Sequence, residues 1–338
     1  MSGGKTPDMS VCDIIIPFYQ RRPGILANAV ASVFAQTHEH WRLIIVDDGS
    51  PSPVEDDLSG LTDYQRTRLR IVKKPNGGVS SARNAGLDAV SDQARIVAFL
   101  DSDDIWDPGH LARCATALSK PGIDLFWAAV SGDEFSEDYV PVSSVLNRGE
   151  SEPLLGMPQA YWVRDLRPVL CGPWWRHMHL SCTAITASLA QKVRFRETLR
   201  LSEDFAFLMD CAQIAEGAVA SDAPGMARGT GDNIWHGMAF DDARLALEKY
   251  TMMTLYKSLQ RDQALAPEAR KILDARIEGR RQQFFWNQVH RLKGRKAPTV
   301  GLWMKWIARD PAILRTAFGR LLKQAPRQSR YVIPLEDA

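Results

Sequence analysis

The 338-residue chain is poor in cysteine: Cys12, Cys114, Cys171, Cys182 and Cys211 form an odd set with no C-x-x-C pair. That pattern fits reduced, buried thiols of a cytosolic protein better than a disulfide framework. Nowhere do 18 apolar residues run together, so no segment reads as a membrane-spanning helix. Residues 1–10 are polar, without the basic stretch and apolar run of a secretory signal. Internal repeats and low-complexity tracts are also missing. What remains, 45% apolar and 24% charged residues, is ordinary globular composition, long enough for one large domain with an appendage or for two domains.

Acid is scarce in one place. From Arg276 to Arg330 there are fourteen Lys or Arg against Glu278 and Asp310, a local charge of +12 in a chain whose total is +2, so the remainder carries −10. A basic segment of this kind favours anionic surfaces, whether phospholipid or nucleic acid. No nucleic-acid recognition motif accompanies it.

The first hundred residues alternate in hydrophobic period. Strand runs at Val11–Ile16, Leu43–Val46, Leu69–Val72 and Ile96–Leu100 are separated by helical spacing at Gly24–Gln36, Val54–Arg66 and Ser80–Val90. This predicts a mostly parallel sheet with right-handed crossovers and helices on both faces. A helix to Leu118 and a strand at Leu125–Val130 follow, then a Ser/Glu/Pro/Gly-rich loop region from Ser131 to Pro158.

In such a sheet, ligands bind in the crevice outside the carboxyl ends of the strands. Four groups of residues fall there. Asp101-Ser102-Asp103-Asp104 follows the run ending at Leu100, where clustered carboxylates suit a divalent cation, although an Asp-rich turn needs none. Asp47-Asp48-Gly49-Ser50 ends the second strand, and an acid there can accept from a base or a ribose hydroxyl. Asn76-Gly77-Gly78 opens a helix carrying Arg83 in the manner of an anion-binding loop, matching neither the P-loop nor the G-x-G-x-x-G fingerprint. Pro17-Phe18-Tyr19 is expected to end the first strand, because Pro cannot continue a central ladder, and to deliver aromatic rings to the same edge. A ring there can stack on a base or cap the core.

Together with Ser32-Val33-Phe34-Ala35-Gln36-Thr37 and Gly78-Val79-Ser80-Ser81-Ala82-Arg83-Asn84-Ala85-Gly86, these groups resemble the nucleotide-sugar-binding half of family 2 glycosyltransferases. The resemblance implies the GT-A fold, a Rossmann-like α/β domain, and an inverting, metal-dependent transfer from a nucleotide sugar, most often a UDP-sugar. It implies that Asp47 or Asp48 and Arg83 contact the base, with Pro17 and Tyr19 lying at it. Asp101 and Ser102 would face the ribose side, and Asp103 would hold Mg2+ or Mn2+ on the diphosphate. Leu201-Ser202-Glu203-Asp204-Phe205 resembles the family's late Glu-Asp motif, which makes Asp204 the general base and Glu203 its orienting or acceptor-binding partner. The plain alternative is a helix first turn with acids favoured by the dipole, behind an N-cap at Ser202. The stretch from Arg228 to His236 resembles the loop that folds over the diphosphate, with Arg228 on phosphate and His236 on metal or phosphate, and is similar to that of succinoglycan-type exopolysaccharide enzymes. Trp174 and Trp175 lie in what becomes the acceptor region, where indole faces suit sugars or simply pack. His177 and His179 have the alternate spacing of ligands on a strand, but no third ligand is in view.

The resulting expectation is a catalytic domain over 1–237, with a donor half at 1–106 and an acceptor half at 107–237, followed by a basic helical region at 238–338. Helices are expected at Asp242–Leu259, Pro267–His290, Val300–Arg309 and Pro311–Lys323, the last with Asp310 as N-cap and Pro311 at N1. The apolar stripe of the last two, Trp303, Trp306, Ile307, Ile313 and Leu314, can pack on protein or lie in a bilayer interface. The expected setting is cytoplasmic, with peripheral contact at the inner face of the cytoplasmic membrane and a saccharide or lipid-linked saccharide acceptor. Two other readings compete. A degenerate GT-A module would bind nucleotide sugar or scaffold an assembly without turnover. A HAD-like phosphohydrolase needs an Asp nucleophile after the first strand, where Pro17 and Phe18 stand.

Overall fold

A computed structural model describes residues 11–131, 141–146, 151–172, 178–229, 239–263 and 265–321. The chain separates into two compact units, residues 1–233 and 234–338.

The first unit begins with β1 (Cys12–Phe18), α1 (Ile25–Phe34), β2 (Trp41–Asp47), the short turns α2 (Val54–Asp57) and α3 (Asp63–Arg66), β3 (Leu69–Lys73), α4 (Val79–Asp88) and β4 (Ile96–Phe99). These four strands are parallel, in the order β3-β2-β1-β4. The side chains of β1, β2 and β4 are largely apolar and buried on both faces because helices cover both, whereas the edge strand β3 is partly exposed. Ile14, Ile16 and Phe18 pack with Leu26, Ala29, Val30 and Val33 of α1. Ile15 points the other way, against α4, where a Cβ added to Gly86 would collide with its Cγ2. The helix expected over Val54–Arg66 is instead the two turns α2 and α3; Thr62 starts the second with a reciprocal capping box to Gln65.

Pro17 does not end β1, which runs on to Phe18 in register with β2. Pairing with β4 stops at Ile15 opposite Phe99, with one further bond from Leu100 N–H to the Ile15 carbonyl. Carbonyls alternate sides along a parallel strand, and that of Phe18 bonds Asp48 N–H on the β2 side. The missing N–H of Pro17 therefore faces the side where no partner strand remains.

Beyond β4 the sheet is mixed. The chain continues through β5 (Ile105–Trp106), α5 (His110–Leu118), β6 (Leu125–Ser131), β7 (Ser151–Pro153), β8 (Ala160–Val163), α6 (Arg167–Cys171), β9 (Thr183–Thr186), α7 (Ala187–Ala190), α8 (Glu203–Ile214) and β10 (Ala218–Ala227). β9 inserts antiparallel between β4 and β6, and β10 runs parallel to β6. The final two residues of β10 pair antiparallel with β5, directly after the Asp101–Asp104 turn. Gln36 at the end of α1 holds the other side of this segment: its amide donates to the Asp107 carbonyl at 2.8 Å and its oxygen accepts from Leu111 N–H at 2.9 Å.

The second unit contains α9 (Ala243–Gln260), α10 (Pro267–Lys293), α11 (Val300–Arg309) and α12 (Ala312–Leu321). Asp242 caps α9 through a 2.7 Å bond from Arg244 N–H. Part of the apolar stripe of the last two helices turns into the unit: Trp303 and Trp306 lie 5.0 and 4.3 Å from Phe284 of α10 and Ile313 is buried, whereas Leu314 is 38% exposed. Asp310 has a different role from the expected N-cap. Its carboxylate, buried between α11 and α12, accepts from Lys257 at 2.8 Å and from Arg281 at 2.7 and 2.8 Å. No helix among the described residues is long and apolar enough to cross a membrane.

Removing the charge of Asp310 leaves two cations facing a neutral group. Asp310→Asn is expected to destabilise the second unit by roughly 2–3 kcal/mol, below the usual figure for a fully buried pair because Lys257 is partly exposed. Urea denaturation followed by tryptophan emission measures it.

Candidate active site

Parallel strands bring the ends of β1 to β4 to one edge of the sheet, and the four expected groups gather there. Much of each group holds the backbone. Asp48, almost fully buried, accepts from Gly77 N–H at 2.9 Å, Gly78 N–H at 2.8 Å and Lys74 Nζ at 2.5 Å, so its carboxylate fixes the glycine loop. Gly49 and Gly78 adopt φ of +69° and +90°, where a side chain would be strained. Asp47 commits Oδ1 to Ser50 N–H at 2.8 Å. Ser102 Oγ accepts from Gln20 at 3.0 Å, joining the exit of β1 to the acid turn. Tyr19 is 45% exposed at this edge and free to meet a ligand face.

Arg83 is the centre of the arrangement. It is 4% exposed in the first turns of α4, where its guanidinium donates to Asp101 at 2.8 Å and to Glu203 at 3.1 Å and lies 5.3 Å from the ring of Phe195. Burial opposes the charge, but Asp101 and Glu203 hold Arg83 protonated and raise its pKa. Asn84, the next residue, donates to the Phe195 carbonyl and Glu197 and accepts from Phe195 N–H, at 2.8–2.9 Å. Phe195 in turn stacks on Phe207 of α8 at 3.9 Å, and both meet Phe99 of β4 edge-on. The helix carrying Glu203 and Asp204 is thereby fastened to the donor-side motifs.

Ser202 stands at the N-cap position of α8 but does not cap it with its side chain; its φ is +62°, an uncommon value for a residue other than Gly. Asp204 lies beyond it, with Oδ1 accepting from Phe205 N–H at 2.7 Å. Burial, then the neighbouring Glu203 carboxylate, raises the Asp204 pKa to about 7.

The acid turn is crowded. Burial would raise the pKa of Asp101, but Arg83 and weaker neighbours bring it below the ordinary value. Burial and the adjacent acids push Asp103 up to about 7, and burial and Asp101 do the same to Asp104. Ser181 sits beneath the turn: Oγ accepts from Asp101 N–H at 3.0 Å and donates to Asp104 at 2.6 Å. Gly229 packs on top, since a Cβ there would strike the Asp103 carbonyl. Arg228 beside it contributes positive potential to all three acids. Asp101, Asp104 and His179 each offer a ligand atom, all within 4.8 Å of one another. Burial, above all, lowers the His179 pKa to about 4, which keeps the ring neutral at physiological pH. Asp101 and Asp104, with Asp103 in the same turn, offer carboxylate oxygens of the kind that fits a divalent cation.

The structure thus brings Asp101, Arg83, Glu203 and Asp204 together and seats Asp103, Asp104 and Arg228 around the acid turn. Trp174, Trp175, His177 and His236 lie outside the described residues. Sequence reasoning missed Ser181 and the partnership of His179 with Asp101 and Asp104, which join segments some eighty residues apart.

A cation-suited acid turn and a late carboxylate pair on a Rossmann-like sheet define a sugar-transfer enzyme. Residues 13–155 match the family model described as Glycosyl transferase family 2. The chain is 35% identical over 310 residues to the succinoglycan biosynthesis protein ExoW of Rhizobium meliloti, covering 91% of this chain and 97% of that protein. It belongs to the family 2 glycosyltransferases. Among solved structures, S. aureus TarS 1-349 in complex with UDP-GlcNAc superposes with a TM-score of 0.58 at 18% identity, over 92% of this chain and 82% of that one. The mannosyltransferase PcManGT of Pyrobaculum calidifontis, in complex with GDP-Man and Mn2+, gives 0.57 at 14% identity, over 94% and 89%. Both share the GT-A fold with this chain.

Arg83→Met would leave Asp101 and Glu203 facing one another without their cation. The expected loss is roughly 3–5 kcal/mol of stability, measured by urea unfolding. Arg83→Lys is expected to recover less than half of it, because a single ammonium lacks the planar fork that reaches two carboxylates.

Proposed function

We propose that this glycosyltransferase inverts the anomeric centre and moves a sugar from a nucleotide sugar, a UDP-sugar, to a saccharide acceptor, free or lipid-linked, in assembly of a bacterial surface or exported polysaccharide. The observation that carries the reading is the Arg83 guanidinium shared between Asp101 and Glu203, because it sets the donor-side acids beside the helix that bears Asp204. ExoW, similar along its whole length, supports the polysaccharide setting, and the UDP-GlcNAc complex of TarS supports the donor class.

In this reading Tyr19 lies against the base and Asp47 and Arg83 serve the donor side, with Pro17 shaping the edge and Asp48 holding the glycine loop in place. Asp101 and Ser102 serve the ribose side, Arg228 meets the diphosphate, and Trp174 and Trp175 meet the acceptor. Asp204 takes the proton of the acceptor hydroxyl as that oxygen attacks the anomeric carbon in line with the departing diphosphate, and Glu203 orients it. A divalent cation, Mg2+ or Mn2+, held by the acid turn with Asp103 and by His236, supplies charge neutralisation of the leaving group when bound. The catalytic domain ends near residue 237, and the basic helical region rests peripherally on the inner face of the cytoplasmic membrane.

A panel of nucleotide sugars with and without Mn2+ tests the donor site by nucleoside diphosphate release and thermal shift. Metal-dependent stabilisation by UDP and its sugars is expected; no stabilisation by any nucleoside diphosphate would sink the reading. Asp204→Asn is expected to retain donor binding and lose at least about 100-fold in transfer. Since the base must be ionised and its pKa stands near 7, kcat is expected to rise about tenfold per pH unit below 7 and level off above it. A profile flat between pH 5 and 7 would remove Asp204 from the proton transfer.

A further inference from the structure

α11 is apolar on both of its sides. Trp306 is fully buried 4.3 Å from Phe284 of α10, and Trp303 lies 5.0 Å from the same ring. On the opposite side Val300 is 58% exposed, Met304 66% exposed, and Ala308 exposed as well, a row of apolar groups one helical turn apart. Single exposed apolar residues are ordinary, but a helix apolar all round has its second side covered by something. The row continues past the helix. Thr299, just before Val300, donates from its N–H and its hydroxyl to Gln288 Oε1 at 2.9 and 3.0 Å, and Leu292, 60% exposed, stands one turn on from Gln288 along α10. Arg291 holds the connection between the two helices, donating to the Ala297 carbonyl at 2.7 and 3.0 Å, so this surface is already formed.

Cations surround it. Lys305 follows Met304 and Arg309 follows Ala308 on the exposed side of α11, with Lys293, Arg295 and Arg315 exposed on the neighbouring segments. From Lys293 to Leu321 there are seven Lys or Arg and one acid, Asp310, which is buried against Lys257 and Arg281. Two copies of the chain meeting here would set cation against cation. Nucleic acid would use the cations but has no need of exposed Val, Met and Leu, and Trp303 and Trp306, which could stack on bases, are turned to Phe284. A bilayer with anionic headgroups suits both parts of the surface: apolar side chains enter the headgroup and acyl boundary while Lys and Arg meet lipid phosphates.

We propose that the exposed side of α11, Val300, Met304 and Ala308, with Leu292 beside it, dips into the interface of an anionic bilayer, and that Lys305 and Arg309 hold it there. The tryptophan side of the same helix stays in the protein. The inference rests on the reading of the helical region as peripheral to a membrane and adds to it the face that makes contact and the lipid charge it selects.

Full-length protein is floated with vesicles of equal parts phosphatidylglycerol and phosphatidylcholine, and with phosphatidylcholine alone. Wild type is expected to bind the anionic vesicles, to leave them as salt rises, and to ignore the neutral ones. Val300→Asp/Met304→Asp, checked for folding by circular dichroism, is expected to lose about tenfold or more in vesicle affinity. Lys305→Gln and Arg309→Gln are expected to lose about fivefold each. The native cysteines are buried, so Met304→Cys takes a polarity-sensitive fluorophore at one place, and its emission is expected to shift to the blue on anionic vesicles. Wild type that binds those vesicles while the folded double variant binds equally well, or while the fluorophore stays unshifted, overturns the inference and leaves the peripheral reading standing. The same holds if the double variant splits a wild-type dimer in sedimentation and leaves vesicle binding unchanged. Wild type that binds duplex DNA but no vesicle, or neither, overturns the inference and the peripheral reading together.

Discussion

A guanidinium removed from water must find anions, and Arg83 finds two, on segments some hundred residues apart. Asp101 comes from the turn after β4 and Glu203 from the first turn of α8, so one buried charge dictates where the second half of the catalytic unit docks on the first. The neighbouring contacts follow its lead. Asn84 brackets Phe195, the Phe99, Phe195 and Phe207 rings fill the space behind it, and Ser202 enters α8 through a left-handed conformation. Strain of that kind persists only where the surroundings over-determine it.

This explains a division of labour among residues that the motifs treat as equals. Asp48, Ser102, Gln36 and Asn84 spend their polar atoms on backbone and on neighbouring side chains, holding four loops at fixed height above the sheet. Tyr19 stands 45% exposed at the same edge. The acids of the turn after β4 are kept close by Ser181 from below and Gly229 from above. The same crowding raises the pKa of Asp204 to about 7, since burial and Glu203 both disfavour its ionised form.

The helical unit obeys a related rule. Its basic composition conceals an apolar stripe, part of which turns inward: Trp306 packs on Phe284 and Ile313 is buried, while Leu314 stays exposed. Asp310, the one acid between Lys293 and Leu321, is consumed by Lys257 and Arg281. The surface of α11 and α12 carries Lys305, Arg309 and Arg315, all exposed.

Local pattern determined the parallel half of the sheet, the placement of the acid turn, the glycine loop and the late Glu-Asp pair, and the family to which they belong. Hydrophobic period and turn chemistry act within a dozen residues, and these features are written at that range. The same reasoning ended β1 at Pro17 too early, because whether a missing N–H matters depends on which neighbour strand has already stopped. It joined α2 and α3 into one helix because the apolar spacing continues across Ser59 to Thr62, where the backbone turns. Only the tertiary structure decided that β9 runs antiparallel to β4 and carries His179 and Ser181 to Asp101 and Asp104. Strand direction and pairing are settled by long-range burial, so a side-chain cluster built across them leaves no spacing in the sequence to read.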